Sequence, residues 1–205
     1  MTERPIIFSG PMVRAILAGR KTQTRRIFTP QPVDNGGDIT IKGHRGPADY
    51  LMRDIAPRFW ARFAVGDVLW VKETWTHVGV GVWSIANARM AGRGGVRYKA
   101  DRVIEVAGYW PSIHMPREFS RLSLKVTRVE VERLQEISEE DAVAEGCPGC
   151  MGSNPEFPDE WDPLPVEEYR DLWERIHGPG SWDANPWVVA ISFEPTANPQ
   201  RGTST

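Results

Sequence analysis

Cysteine is scarce, at 2 in 205 residues. A scaffold built on disulfides needs several pairs, so that class is excluded. Long apolar runs are also missing. No stretch approaches the ~18 uninterrupted apolar residues of a membrane-spanning helix. The opening Met1-Thr2-Glu3-Arg4-Pro5-Ile6-Ile7-Phe8 is too charged, and its apolar part too short, for a secretory signal. The expectation is a cytoplasmic protein with no membrane partner. No glycine-rich phosphate loop follows an apparent strand, which argues against the common nucleotide-binding folds. There is no internal repeat and no low-complexity tract. Tyrosine is sparse too, with 4 against 9 tryptophans.

Hydrophobic residues are 40% and charged residues 25% of the chain, ordinary values for a globular protein. The length predicts one domain over residues 1–195, with insertions near 28–64, 76–118 and 147–164 and a disordered tail at 196–205. The formal net charge of -2 hides an uneven distribution. Residues 1–128 hold 21 Lys and Arg against 10 Asp and Glu, a net of +11. Residues 129–205 hold 4 against 17, a net of -13. Either the basic half offers a surface to phosphates, or the halves pair with each other.

Apolar spacing predicts a strand at 5–8 and a short amphipathic helix over 10–19, with Ser9 and Pro11 at its start and Gly19 as its stop. Residues 28–64 read as a long loop with one helical turn near Tyr50 to Ile55. A strand runs from Val68 to Trp75 after the turn Val65-Gly66-Asp67, and a longer one follows Leu122, with a bulge near Thr127. Ser138 with Asp141 makes a capping box for a helix stopped by Gly146. Pro165 opens a second helix ending at Gly178, and Trp187 to Phe193 is a final strand. Few helices, several strands and long insertions place the chain in the α+β class, on a curved sheet or small barrel.

The segment Arg20-Lys21-Thr22-Gln23-Thr24-Arg25-Arg26 is the most unusual. Cations after a helix complement its negative end. They also favour loss of the Lys21 proton, and a neutral lysine can serve as base for the Thr24 hydroxyl. Glu73 either forms an ion pair with one of the arginines near 25 or reads the edge of a base. Trp75, Tyr98, Trp110 and His114 lie in or beside the largest insertion. Most of the nine tryptophans staple loops, while Trp75 and Trp110 lie near cations and suit base stacking. Lys99 and Arg117 could meet phosphate or be ordinary surface charges. Cys147-Pro148-Gly149-Cys150 has half the spacing of a zinc knuckle; there is no second such pair, and two of His44, His77, His114 and His177 would have to supply the other ligands. No metal and no cofactor is expected.

Gly19-x-Lys21 followed by Arg26 resembles the signature of the ASCH domain, a small β-barrel of the PUA-like class. Val65-Gly66-Asp67-Val68-Leu69-Trp70-Val71, the helix from Ser138 to Gly146 and the strand from Trp187 to Phe193 agree with it in order. ASCH proteins of phages and prophages are similar nearly end to end, including Phe8-Ser9-Gly10-Pro11-Met12, Lys72-Glu73-Thr74-Trp75 and the peptide from Trp110 to Arg117. One position departs: the usual signature has glutamate where this chain has Thr24. The small ASCH amidohydrolases that cleave N(4)-acetylcytidine carry lysine and threonine there, with a glutamate late in the helix after the long strand. That position falls on Glu145. The resemblance therefore implies a catalytic set of Lys21, Thr24 and Glu145, with Arg20, Arg25, Arg26, Glu73, Trp75, Trp110 and His114 around the substrate. It implies a nucleoside, nucleotide or RNA as partner. A binding module without chemistry is the competing reading, and an accessory protein binding a host factor through its acidic half is a third.

Overall fold

The computed structural model describes residues 2–36, 38–47, 50–59, 61–102, 106, 108–149 and 164–196. In chain order the elements are β1 (Glu3–Ile7), α1 (Gly10–Leu17), β2 (Gln23–Ile27), β3 (Val33–Asp34), β4 (Asp38–Ile41), β5 (His44–Pro47), α2 (Ala56–Phe59), β6 (Val68–Lys72), β7 (Trp75–His77), α3 (Ile85–Ala91), β8 (Val96–Tyr98), β9 (Ser123–Arg133), α4 (Glu139–Ala144), α5 (Pro165–His177) and β10 (Trp187–Thr196). The class is α+β, with mixed sheets and short helices. No helix among the described residues is long and apolar enough to cross a membrane. The chain divides into two compact units, one of residues 1–19, 66–125 and 194–205, the other of 20–65 and 126–193.

In the first unit β1 runs parallel to β6, with Glu3 opposite Val68 and Ile7 opposite Lys72. The start of β9 is antiparallel to β6, with Trp70 opposite Ser123. Asp67 ties the edge down by accepting the Thr2 N–H and the Arg4 Nε–H, each at 3.0 Å. Helix α1 begins with proline in its first turn and buries Val13, Ala15 and Ile16. Gly19 takes φ 72° just past its end, a conformation that costs glycine least. The 76–118 insertion is more ordered than its composition implies. β7 and β8 pair antiparallel, and α3 starts at Ser84, whose hydroxyl accepts from the Asn87 N–H. Trp75, Ala88, Val96, Met115 and Phe119 form its core.

In the second unit β2 and β10 pair antiparallel, with Thr24 opposite Ile191 and Arg25 opposite Ala190. Helices α4 and α5 cover a core of Leu134, Ile137, Ala142, Cys147, Tyr169, Trp173 and Val188. The predicted loop at 28–64 is a correction. It holds the three-stranded sheet β3-β4-β5 and α2, while the helical turn expected near Tyr50 to Ile55 is present as a π-helical turn. The hairpin between β4 and β5 turns through Lys42 and Gly43, both at positive φ. Two boundaries also move. The strand after Val68 breaks at Lys72 and resumes at Trp75, and the last strand continues to Thr196, past the predicted end at Phe193. Along β9 the buried positions change parity between Val126 and Val131, with Thr127 and Arg128 both exposed, as a bulge would require. Residues 150–163 and 197–205 lie outside the described residues, and with them Cys150 and the predicted tail from 197 on.

Candidate functional site

Lys21 leaves the turn after α1 and is 1% exposed. Its Nζ donates at 2.6 Å both to Glu145 Oε2 and to the Glu145 carbonyl oxygen. Glu145 is the C-cap residue of α4, followed by Gly146 at φ 95°. The α4 end reaches β2 because the Thr22 N–H donates to the Ala144 carbonyl at 2.8 Å. Two residues 124 positions apart are thus joined in a buried ion pair. Glu145 Oε1 is buried without a hydrogen bond among the described residues, 3.6 Å from Arg25 Nη1.

Arg25 organises the rest. Its side chain is fully buried and donates to Glu132 Oε1 at 2.8 Å, Asp141 Oδ2 at 2.7 Å and Gln23 Oε1 at 2.6 Å. Burial opposes its charge, but Glu132 and Glu145, then Tyr169 and Asp141, outweigh it and hold its pKa above the usual value. At Glu132 burial wins over Arg25, so that carboxyl is raised. Arg26 is lowered by burial against the opposing pull of Glu145 and Tyr169. Ser138 Oγ caps α4 by accepting the Asp141 N–H at 3.1 Å. The Asp141 carboxylate does not return to the cap, as a capping box would have it; it binds Arg25 and Gln23. Gln23, Glu132 and Asp141 are members of this site that the sequence did not single out. Only their charge or amide hinted at it, because their partners are remote in sequence.

Thr24 lies between these groups in the chain and is 3% exposed. Strand alternation turns it to the face opposite Gln23 and Arg25. Arg20 is exposed and Arg26 half-buried. Cys147, beside this cluster, is a buried free thiol, pushed up to about 12 mainly by burial and then by Glu168 and Glu145.

The remaining residues belong to the other unit. Glu73 is buried, and its partner is Arg121, not an arginine near 25. Arg121 Nε and Nη2 donate to its two oxygens at 2.8 and 2.9 Å, while Nη1 donates to Asp101 at 2.9 Å. The Arg121 guanidinium lies 4.0 Å over the Tyr98 ring. Burial nonetheless raises the Glu73 carboxyl, against Arg121. Trp75 is a core residue with 0% exposure. Trp110 and Phe119 pack on it at 4.7 and 5.1 Å between ring centroids, and Trp75 and Trp110 form a backbone bridge. Burial and these two neighbours thus account for Trp75, while Trp110 is partly buried. His114 is exposed in a 3-10 turn, and Arg117 is spent on Glu3. Next to Glu73 and Thr74 a cavity of about 640 Å³ opens, with Arg14, Lys99, Arg102 and Tyr109 in its wall.

No family model matches this chain. No curated protein matches it either. Among solved structures it is similar to an ASCH domain from Lactobacillus crispatus JV V101, at 12% identity over 95% of this chain and 79% of that one, with a TM-score of 0.40.

Proposed function

We propose that this chain is a PUA-like ASCH barrel that hydrolyses the amide of an N-acylated cytidine or a related modified nucleoside. The observation that supports this reading is the buried Lys21–Glu145 pair, three residues from a threonine. A lysine and a carboxylate taken out of water gain little stability from each other, because desolvation cancels most of their attraction. Placing them so fits a proton-handling role better than a structural one.

In the proposed reaction Glu145 accepts a proton from Lys21, and the neutral amine accepts the Thr24 Oγ proton as the oxygen attacks the acyl carbon. The C–N bond then breaks, and the leaving amine takes the proton from Lys21. Water cleaves the Thr24 ester, releasing the carboxylic acid and restoring the hydroxyl. Thr24 must approach Lys21 for this, so ligand binding has to adjust the start of β2. Incubation with N(4)-acetylcytidine tests the proposal, with conversion to cytidine followed by chromatography. The intact protein should convert it and Thr24→Ala should not, at an unchanged melting temperature. Conversion by Thr24→Ala, or none by the intact protein, would remove the mechanism.

A further inference from the structure

The cavity beside Glu73 has an unbalanced charge. Among the described residues its wall holds one carboxylate, Glu73, which is held at both oxygens by Arg121. Arg14, Lys99 and Arg102 in the same wall have no carboxylate partner among the described residues. Arg14 is positioned by donating to the Ala100 carbonyl at 3.2 Å, which leaves most of its guanidinium donors for another acceptor. Lys99 Nζ stands 5.9 Å from the centroid of Tyr109, so cation and aromatic ring share one wall. Arg102 holds φ 54°, a left-handed conformation that costs an arginine energy and marks many ligand-binding loops. A volume of about 640 Å³ suits a nucleotide-sized molecule.

From these observations we infer that this cavity is a binding site for a phosphorylated nucleoside, with Arg14, Lys99 and Arg102 on the phosphate and Tyr109 against the base. Charge-assisted bonds from arginine and lysine suit phosphate oxygens, and a tyrosine ring suits a base of any sequence. The site does not depend on the amide hydrolysis proposed for Lys21, Thr24 and Glu145.

Calorimetric titration with cytidine 5′-monophosphate, cytidine, inorganic phosphate and a short single-stranded oligoribonucleotide tests it. The monophosphate should bind at least about tenfold tighter than cytidine, and inorganic phosphate should compete with it. The double variant Lys99→Gln, Arg102→Gln should weaken the monophosphate at least roughly 100-fold, the scale of two charged hydrogen bonds. Its affinity for cytidine and its melting temperature should stay as in the parent. Tighter binding of the oligomer, with the same loss in the double variant, assigns the site to nucleotides within a chain. Equal affinity for monophosphate and cytidine, unchanged binding in the double variant, or no binding of either phosphorylated ligand would overturn the inference.

Discussion

Two arginines, Arg25 buried in one unit and Arg121 half-buried in the other, make a useful comparison. Arg25 and Arg121 each bind two carboxylates through short, directed bonds. Around Arg25 the charges nearly close: Lys21 and Arg25 stand against Glu132, Asp141 and Glu145, and all take part in ion pairs with one another. Around Arg121 they do not among the described residues, because Arg14, Lys99 and Arg102 stand beside a Glu73 already paired with Arg121. A closed network holds groups in place and can shuttle a proton within itself. An open one has capacity left for an anion from outside. The comparison also divides the basic half of the sequence. Lys21 and Arg25 pair with the acidic half, whereas Arg4, Arg117 and Arg121 pair within the basic half.

The closed network should break hardest. Glu145→Ala leaves the Lys21 ammonium buried without its carboxylate, and urea unfolding should report a loss of about 3–5 kcal/mol. A loss under about 1 kcal/mol would mean the pair is solvated in solution. Arg121→Ala should come next, at about 3 kcal/mol, since it strands Glu73, which is 1% exposed. This effect carries a pH signature. The Glu73 carboxyl is already raised in the fold by burial, and it must rise further without Arg121. The folded state then binds more protons than the unfolded one above the ordinary carboxylate value, so stability falls as pH rises through the folded pKa. Arg121→Ala should therefore lie closest to its parent in acid and fall away toward neutrality. The exposed pair of Glu3 with Arg117 should matter least. Glu3→Gln should cost under about 1 kcal/mol. Its sign is opposite: the Arg117 bond lowers the Glu3 pKa, so the small contribution is present at neutral pH and lost in acid.

Much of the fold was legible because local signals carried it. Pro11 with Gly19, Ser138 with Gly146 and Pro165 with Gly178 bracket α1, α4 and α5. The hairpins of β3, β4 and β5 were missed because their strands are two to four residues long, too short for alternation to register. Helix α3 was missed because its seven residues make barely two turns, too few for the spacing of Ile85, Ala88 and Ala91 to register, and only the cap at Ser84 announces it. Long-range pairing set what could be read of the site. Lys21 and Glu145 were candidates by resemblance, yet nothing local joins them. Arg121 and Asp101 drew no notice because the charge of each looks ordinary until the fold brings it to Glu73. Trp75 stood out for its type and its neighbours, and packing alone accounts for its position.

On the proposed function, Lys21 and Glu145 are placed for chemistry and not for stability. The double variant Lys21→Met, Glu145→Leu tests it most directly, because apolar pairs often replace buried ion pairs at no cost. This variant should melt at or above the parent temperature and should not convert N(4)-acetylcytidine. A double variant that still converts it at the parent rate would contradict the claim.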